Sequence, residues 1–257
     1  MVTAMLVACV SACGNAAAPT PAPSPSVSMA PDLGTARVAL AARAALAQDH
    51  RFAALYTLDT PGRAQRNVVA TVADDGSWRV DIAGGILGGT ADVAIISNTS
   101  GVYQCSLSST TNLINPTCVL VANAGKRVPA EFDPGVERVF RTSLSVFTDR
   151  QAALSVTAMP PLPGSQNQGL TSSCFSVDSI SASLRAPIDV GIYCYSAEGL
   201  LTGARTDFGL LALASAPVPP PTAVLLPGPV VSGPALGLES PPPPPVMEIP
   251  STEQSPA

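Results

Sequence analysis
Histidine is nearly missing: His50 is the only one in 257 residues. Many enzyme reactions need a base that titrates near neutrality. A single histidine between an alanine-rich segment and a β-rich one reads instead as a helix C-terminal residue favoured by the dipole. The strings that carry serine-nucleophile, zinc-protease or phosphate-loop chemistry (GxSxG, HExxH, GxxxxGK(S/T), SxxK) are missing too. Gly84-Gly85-Ile86-Leu87-Gly88-Gly89 has the glycines of a phosphate loop without its Lys-Ser/Thr, and reads as a loop or lid. We expect no catalysis and no cofactor. Charge is scarce, 12% of residues against a usual ~25%, and it sums to −5. That excludes a generic nucleic-acid binder, which needs a basic footprint. Aromatics are 4%, with Trp78 the lone tryptophan. It reads as packing on or covering a hairpin. No CxxC pair exists and His50 is far in sequence from Cys105, Cys118, Cys174 and Cys194, so no zinc site is expected. Asp74-Asp75 with Asp81 suggests a hairpin turn before it suggests calcium.

Proline is what the chain has in excess, and it is unevenly placed. Fourteen of 27 lie in Pro217–Ala257 and five in Pro19–Pro31. One domain of ordinary size, 33–216, lies between two proline-rich arms. Ahead of the first arm, Met1–Ala12 is an apolar run with the length of a signal-peptide h-region, too short to span a membrane. No Lys or Arg precedes it. Val10-Ser11-Ala12-Cys13 resembles a bacterial lipobox, in which small residues fit the signal peptidase and the cysteine thiol takes a diacylglycerol. Leu6-Val7-Ala8-Cys9 matches as well, but cleavage there would leave almost no h-region. Cys13 is therefore the expected lipid attachment, 1–12 the signal segment, and 13–32 an Ala/Pro/Ser-rich tether. Two or three acyl chains would anchor the chain stably to the cell membrane, on its extracytoplasmic side. An exported chain with four further cysteines suggests two disulfides. Of the three pairings, sequence proximity selects Cys105–Cys118 and Cys174–Cys194.

The body alternates strand and turn. Gly34–Asp49 predicts a helix, with Asp32 or Thr35 as cap and Val38, Ala41, Ala42, Ala45 and Leu46 as its apolar stripe. Strands are expected over 51–58, 67–73, 77–82, 91–97, 101–107, 118–123, 153–158, 173–177, 188–195, 200–206 and 208–214, with turns at Asp74-Asp75-Gly76, Asn98-Thr99-Ser100 and Ala197-Glu198-Gly199. Asn98-Thr99-Ser100, formally a glycosylation sequon, is read as a turn. Asp133-Pro134 predicts the start of a mid-chain helix striped by Val136, Val139, Phe140, Leu144 and Phe147, with Glu137, Arg138, Arg141 and Arg150 off the stripe. The fold class is α+β with a long meander-like antiparallel sheet.

Four segments carry a resemblance: the alanine-rich helix running into HRFAALYTL, then VVATVADDGSWRVDI, ADVAIISNTSGVYQC, and IDVGIYCYSAEGLLTGARTDFGLLAL. Their order over most of Leu33–Ser215 resembles the LppX/LprG-type lipoproteins of mycobacteria and other actinobacteria, of the LolA-like carrier fold. The resemblance implies a strongly curved antiparallel sheet, a half-barrel, with helices packed on its concave face. Between the layers some members hold the acyl chains of a lipid, lipoprotein or glycolipid. No ligand residue carries over, because that cavity is defined by apolar character alone. From the residues themselves, Phe52, Leu55, Val68, Val80, Phe140, Leu144 and Phe147 are the candidates to line one. The expected function is a monomeric, anchored lipid or amphiphile binder. The alternative is a non-catalytic envelope module with a filled core, contacting a protein partner through its surface or tail. The tail 217–257, with Pro219-Pro220-Pro221 and Pro241–Pro245, is expected to be unstructured.

Overall fold
Turn chemistry divides the chain into strands as the sequence suggests. In the turn at Asp74-Asp75-Gly76 the Asp75 carboxylate accepts from the Ser77 N–H (2.8 Å) and Gly76 takes the left-handed φ of +83° that only glycine adopts freely. The computed structural model describes residues 33–110, 113–165, 169–180 and 188–239. Cys13, Cys9, the signal segment, the tether and Asp32 lie outside them. A helix, α1 (Leu33–Asp49), is followed by β1 (Phe52–Asp59), β2 (Arg66–Val72), β3 (Trp78–Ile86), β4 (Ala91–Asn98), β5 (Gly101–Leu107) and β6 (Cys118–Ala122). After a short helix, α2 (Thr142–Thr148), come β7 (Leu154–Met159), β8 (Ser172–Ser179), β9 (Gly191–Ser196), β10 (Leu201–Thr206) and β11 (Gly209–Leu213). They form one open antiparallel sheet in the order β6-β5-β4-β3-β2-β1-β11-β10-β9-β8-β7. Two meanders, β1–β6 and β7–β11, meet where Tyr56 faces Leu213. Both disulfides join residues directly opposite in register, Cys105–Cys118 across β5–β6 and Cys174–Cys194 across β8–β9.

One face of the sheet shares a single core with α1 and α2. Alternation sorts the residues: Val93 and Ile95 of β4 enter that core, while Ala94 and Ile96 point to the opposite face. On that opposite face each disulfide sits in a small apolar cluster of its own.

Three expectations need correction. First, α1 buries Ala36, Leu40, Ala44 and Ala47, and leaves Val38, Ala42, Ala45 and Leu46 exposed. An alanine-rich helix is nearly apolar all round, so periodicity does not choose its face. Second, the mid-chain segment is no continuous helix. Asp133 accepts from the Gly135 N–H (2.7 Å), Gly135 takes φ +83°, and a 3₁₀ turn over Val136–Val139 precedes α2. Its apolar stripe is buried as expected, but the tighter 3₁₀ winding buries Glu137 as well.

Third, the tail is not an unstructured arm through its first part. Val218 pairs with Ala53, the carbonyls of Pro221 and Thr222 accept from Asp74 and Asp75, and the Val224 N–H donates to Ser77 Oγ. Val224 and Leu226 then cover Ala94, Ile96, Tyr103 and the Cys105–Cys118 pair. The Pro229 carbonyl and the Val231 N–H bond to Cys118 on the edge strand β6. Beyond that edge the chain reaches the helix-bearing face, where the Gln104 amide bonds both backbone groups of Leu236 (2.8 and 2.7 Å). The Gly237 and Leu238 carbonyls accept from Leu87 and Gly88. Proline removes donors, not acceptors, so this strap is held largely by its carbonyls. Gly228 allows one close crossing: a Cβ there would collide with the Pro116 carbonyl oxygen.

Candidate functional site
Six of the seven cavity candidates meet in one place. Phe52, Val68, Val80, Phe140, Leu144 and Phe147 all belong to the core between sheet and helices. None is more than 6% exposed. The core around them is closed to solvent, and Phe147 also borders a groove between α1 and α2. Leu55 does not join them. In β1 the buried positions are Phe52, Ala54, Tyr56 and Leu58, and Leu55, three residues after Phe52, points to the other face. That period of two was the signal for Tyr56, which the sequence reading missed together with Tyr193 and Tyr195. All three tyrosines are fully buried. Tyr56 packs edge-on to Phe140 (5.0 Å between centroids) and donates to the Leu201 carbonyl (2.9 Å), and Phe147 packs edge-on to Tyr193 (4.8 Å). Trp78 is half-buried at the margin of this core, at the start of the β3 hairpin arm.

An opening lies outside the core, between α1 and α2. It is a groove of about 400 Å³ lined by Val38, Ala41, Ala42 and Phe147, with the long cationic side chains Arg37 and Arg150. Phe147 is the wall it shares with the core. Val38 is 69% exposed and Leu46, further along the same helix face, 48%. Arg37 is partly tied down, donating through Nη2 to the carbonyls of Asp149 (2.6 Å) and Ala152 (3.3 Å), while its buried Nη1 has no partner. Apolar walls with two guanidinium groups suit a molecule that is greasy along its length and anionic at one end.

A second cluster is ionic. Arg138 pairs with Asp189 (3.1 Å) and, at 3.7 Å, with Asp133. Glu137 lies buried beside them. Loss of solvent pushes its carboxyl well above the ordinary value, and a hydrogen bond and the charge of Asp133 push it further. Asp189 is raised by burial against the pull of Arg138, and its carbonyl accepts from the Tyr193 hydroxyl (2.5 Å). His50 is half-buried on Phe52 (5.5 Å between centroids). It directly follows the C-terminus of α1, and burial lowers its pKa more than Glu198 raises it. No helix among the described residues is long and apolar enough to cross a membrane.

No protein-family model matches the chain, and a search of curated proteins returns no match.

Proposed function
We propose that this chain is a lipid-anchored, extracytoplasmic binding protein without catalysis, and that it takes a lipid or other amphiphile in the α1–α2 groove. The observation that carries the reading is that groove: about 400 Å³, apolar along Val38, Ala41, Ala42 and Phe147, and bordered by Arg37 and Arg150. Burial of acyl chain contributes about 0.8 kcal/mol per CH₂, so a modest length of chain along the exposed α1 stripe suffices for binding. The finer architecture belongs to the same reading. Eleven twisted strands with large side chains on the helix-bearing face favour a half-barrel closed over its helices, in keeping with the LppX/LprG resemblance. Attachment at Cys13 and a tether over 13–32 would hold the body near the membrane of an actinobacterial envelope, as a monomer.

One observation favours a second reading. The six core candidates are closed to solvent, as expected of a filled-core module that contacts an envelope protein through its surface. Mass spectrometry of organic extracts from the purified full chain separates the two. The binding reading expects an acyl-bearing lipid near stoichiometric amount beyond the chains on Cys13, and its loss in Ala42→Arg, which places a charged side chain in the groove at an exposed position. Extracts without lipid from both proteins would leave the filled-core module.

A further inference from the structure
A smaller pocket, of about 220 Å³, opens beside the β3–β4 connection and is lined in part by Thr60, Arg63, Arg66, Gly89, Phe208 and Leu238. Its volume is about seven times the ~30 Å³ share of a water in the liquid. Two arginines converge there in a chain of net charge −5. Among the described residues neither makes an ion pair, Asp92 and Glu239 included. Arg66 is half-buried. It donates to the Gly84 carbonyl (2.7 Å) and to Thr60 Oγ1 (3.0 Å), which fixes the guanidinium, while its buried Nε has no acceptor among the described residues. Arg63 is exposed and lies against Gly89. The glycine's Cα faces the guanidinium closely: a Cβ there would stand 2.8 Å from Arg63 Nη1. The wall is well supported. Asp92 accepts from the Gly84 N–H (2.8 Å), and the strap carbonyls of Gly237 and Leu238 accept from Leu87 and Gly88. Two like charges brought together without a counterion repel, and the repulsion is relieved by an anion between them.

We propose that Arg63 and Arg66, set against Gly84–Gly89, the end of β3 and the turn after it, form a binding site for a phosphate-type oxyanion. The site does not rest on the amphiphile reading, since it shares no lining residue with the α1–α2 groove. The oxyanion comes either from a free phosphate or from a lipid headgroup, with Phe208 and Leu238 beside the latter's glycerol. Calorimetric titration of the full chain at low ionic strength distinguishes these, with inorganic phosphate in one arm and dihexanoylphosphatidylglycerol below its micelle concentration in the other. Saturable binding in either arm is expected. A tighter lipid arm assigns the headgroup, and a tighter phosphate arm the free ion. Arg63→Gln, at an exposed position, should weaken binding about tenfold, equivalent to 1.4 kcal/mol, with an unchanged melting temperature. Arg43→Gln, which removes the same charge from α1, should change binding less than twofold. No saturable binding in either arm, or equal losses in Arg63→Gln and Arg43→Gln, would overturn the site.

Discussion

Tyr56 and Tyr195 are both fully buried in the same core, yet their hydroxyls differ. Tyr56 donates to the Leu201 carbonyl at 2.9 Å, while the Tyr195 hydroxyl has no partner among the described residues. A made hydrogen bond contributes about 1 kcal/mol net, and an unmade buried one is a penalty. Tyr56→Phe should therefore lower stability by about 1 kcal/mol. Tyr195→Phe should be neutral or stabilising by up to about 1 kcal/mol. Urea denaturation with an unchanged m-value reads both, and a larger loss in Tyr195→Phe than in Tyr56→Phe would contradict the assignment. Glu137 supplies the pH dependence. Its carboxyl holds the proton more tightly when folded than the ordinary 4.5, through burial first and Asp133 second. The folded state then binds more protons between those two values, so this contribution to stability is full below about pH 4.5 and is lost as pH rises through the folded value. The groups that face it are Asp133 and Arg138, the latter linked to Asp189 and Asp207. Glu137→Gln should remove that part of the slope and leave the variant more stable than the parent near neutrality, read as the difference between two melting-temperature profiles across pH 4–8. A difference curve that stays flat would show that the carboxyl ionises freely in the fold.

At the scale of elements, the eleven strands were legible, and for six of them the reason is a turn between neighbours: Asp74-Asp75-Gly76, Asn98-Thr99-Ser100 and Ala197-Glu198-Gly199. The disulfide pairing was legible for a related reason, since neighbouring strands of a meander place cysteines close in sequence opposite one another. What failed shares one cause. Helical periodicity decides a face only when the faces differ in polarity, and α1 offers alanine on every side. A period of 3.6 decides a stripe only if the segment is an α-helix throughout. The left-handed Gly135 and the 3₁₀ turn after it break that premise and draw Glu137 inward. Leu55 was named with Phe52 as a cavity residue, although a period of two puts residues three apart in a strand on opposite faces. The groove was not legible, because it depends on which side of α1 is left uncovered and on where α2 lands beside it. Those are tertiary facts. The Arg63–Arg66 pocket was hidden for a similar reason: Gly84–Gly89, read as a loop but in fact the end of β3 with a 3₁₀ turn, and Leu238, far apart in sequence, come together only after the strap has crossed the sheet.

At the scale of the whole molecule, an open sheet must manage two edges. The β7 edge lies beside α1. The β6 edge is tied inward by Cys105–Cys118 and outward by the strap, which bonds the Cys118 backbone through Pro229 and Val231. The strap also covers an apolar cluster on the face away from the helices, with Val224 and Leu226, and adds Leu238 to the main core. These three side chains are only partly buried, so each is worth about 1 kcal/mol, opposed by the entropy of ordering the chain. A chain ending at Ala216 should therefore lose about 2–4 kcal/mol relative to the full chain. It should also self-associate through β6, because the donors and acceptors of Cys118 and its neighbours lose their cover. A chain ending at Glu239 keeps every strap bond named above and should match the full chain within about 0.5 kcal/mol. Urea midpoints and sedimentation velocity on the two truncations test this together. Equal stability and a monomeric Ala216 chain would mean that the strap rests on the sheet without holding it. Loss confined to the Ala216 chain would mean that the proline-rich stretch, which composition alone marks as an arm, is the last structural element of the domain.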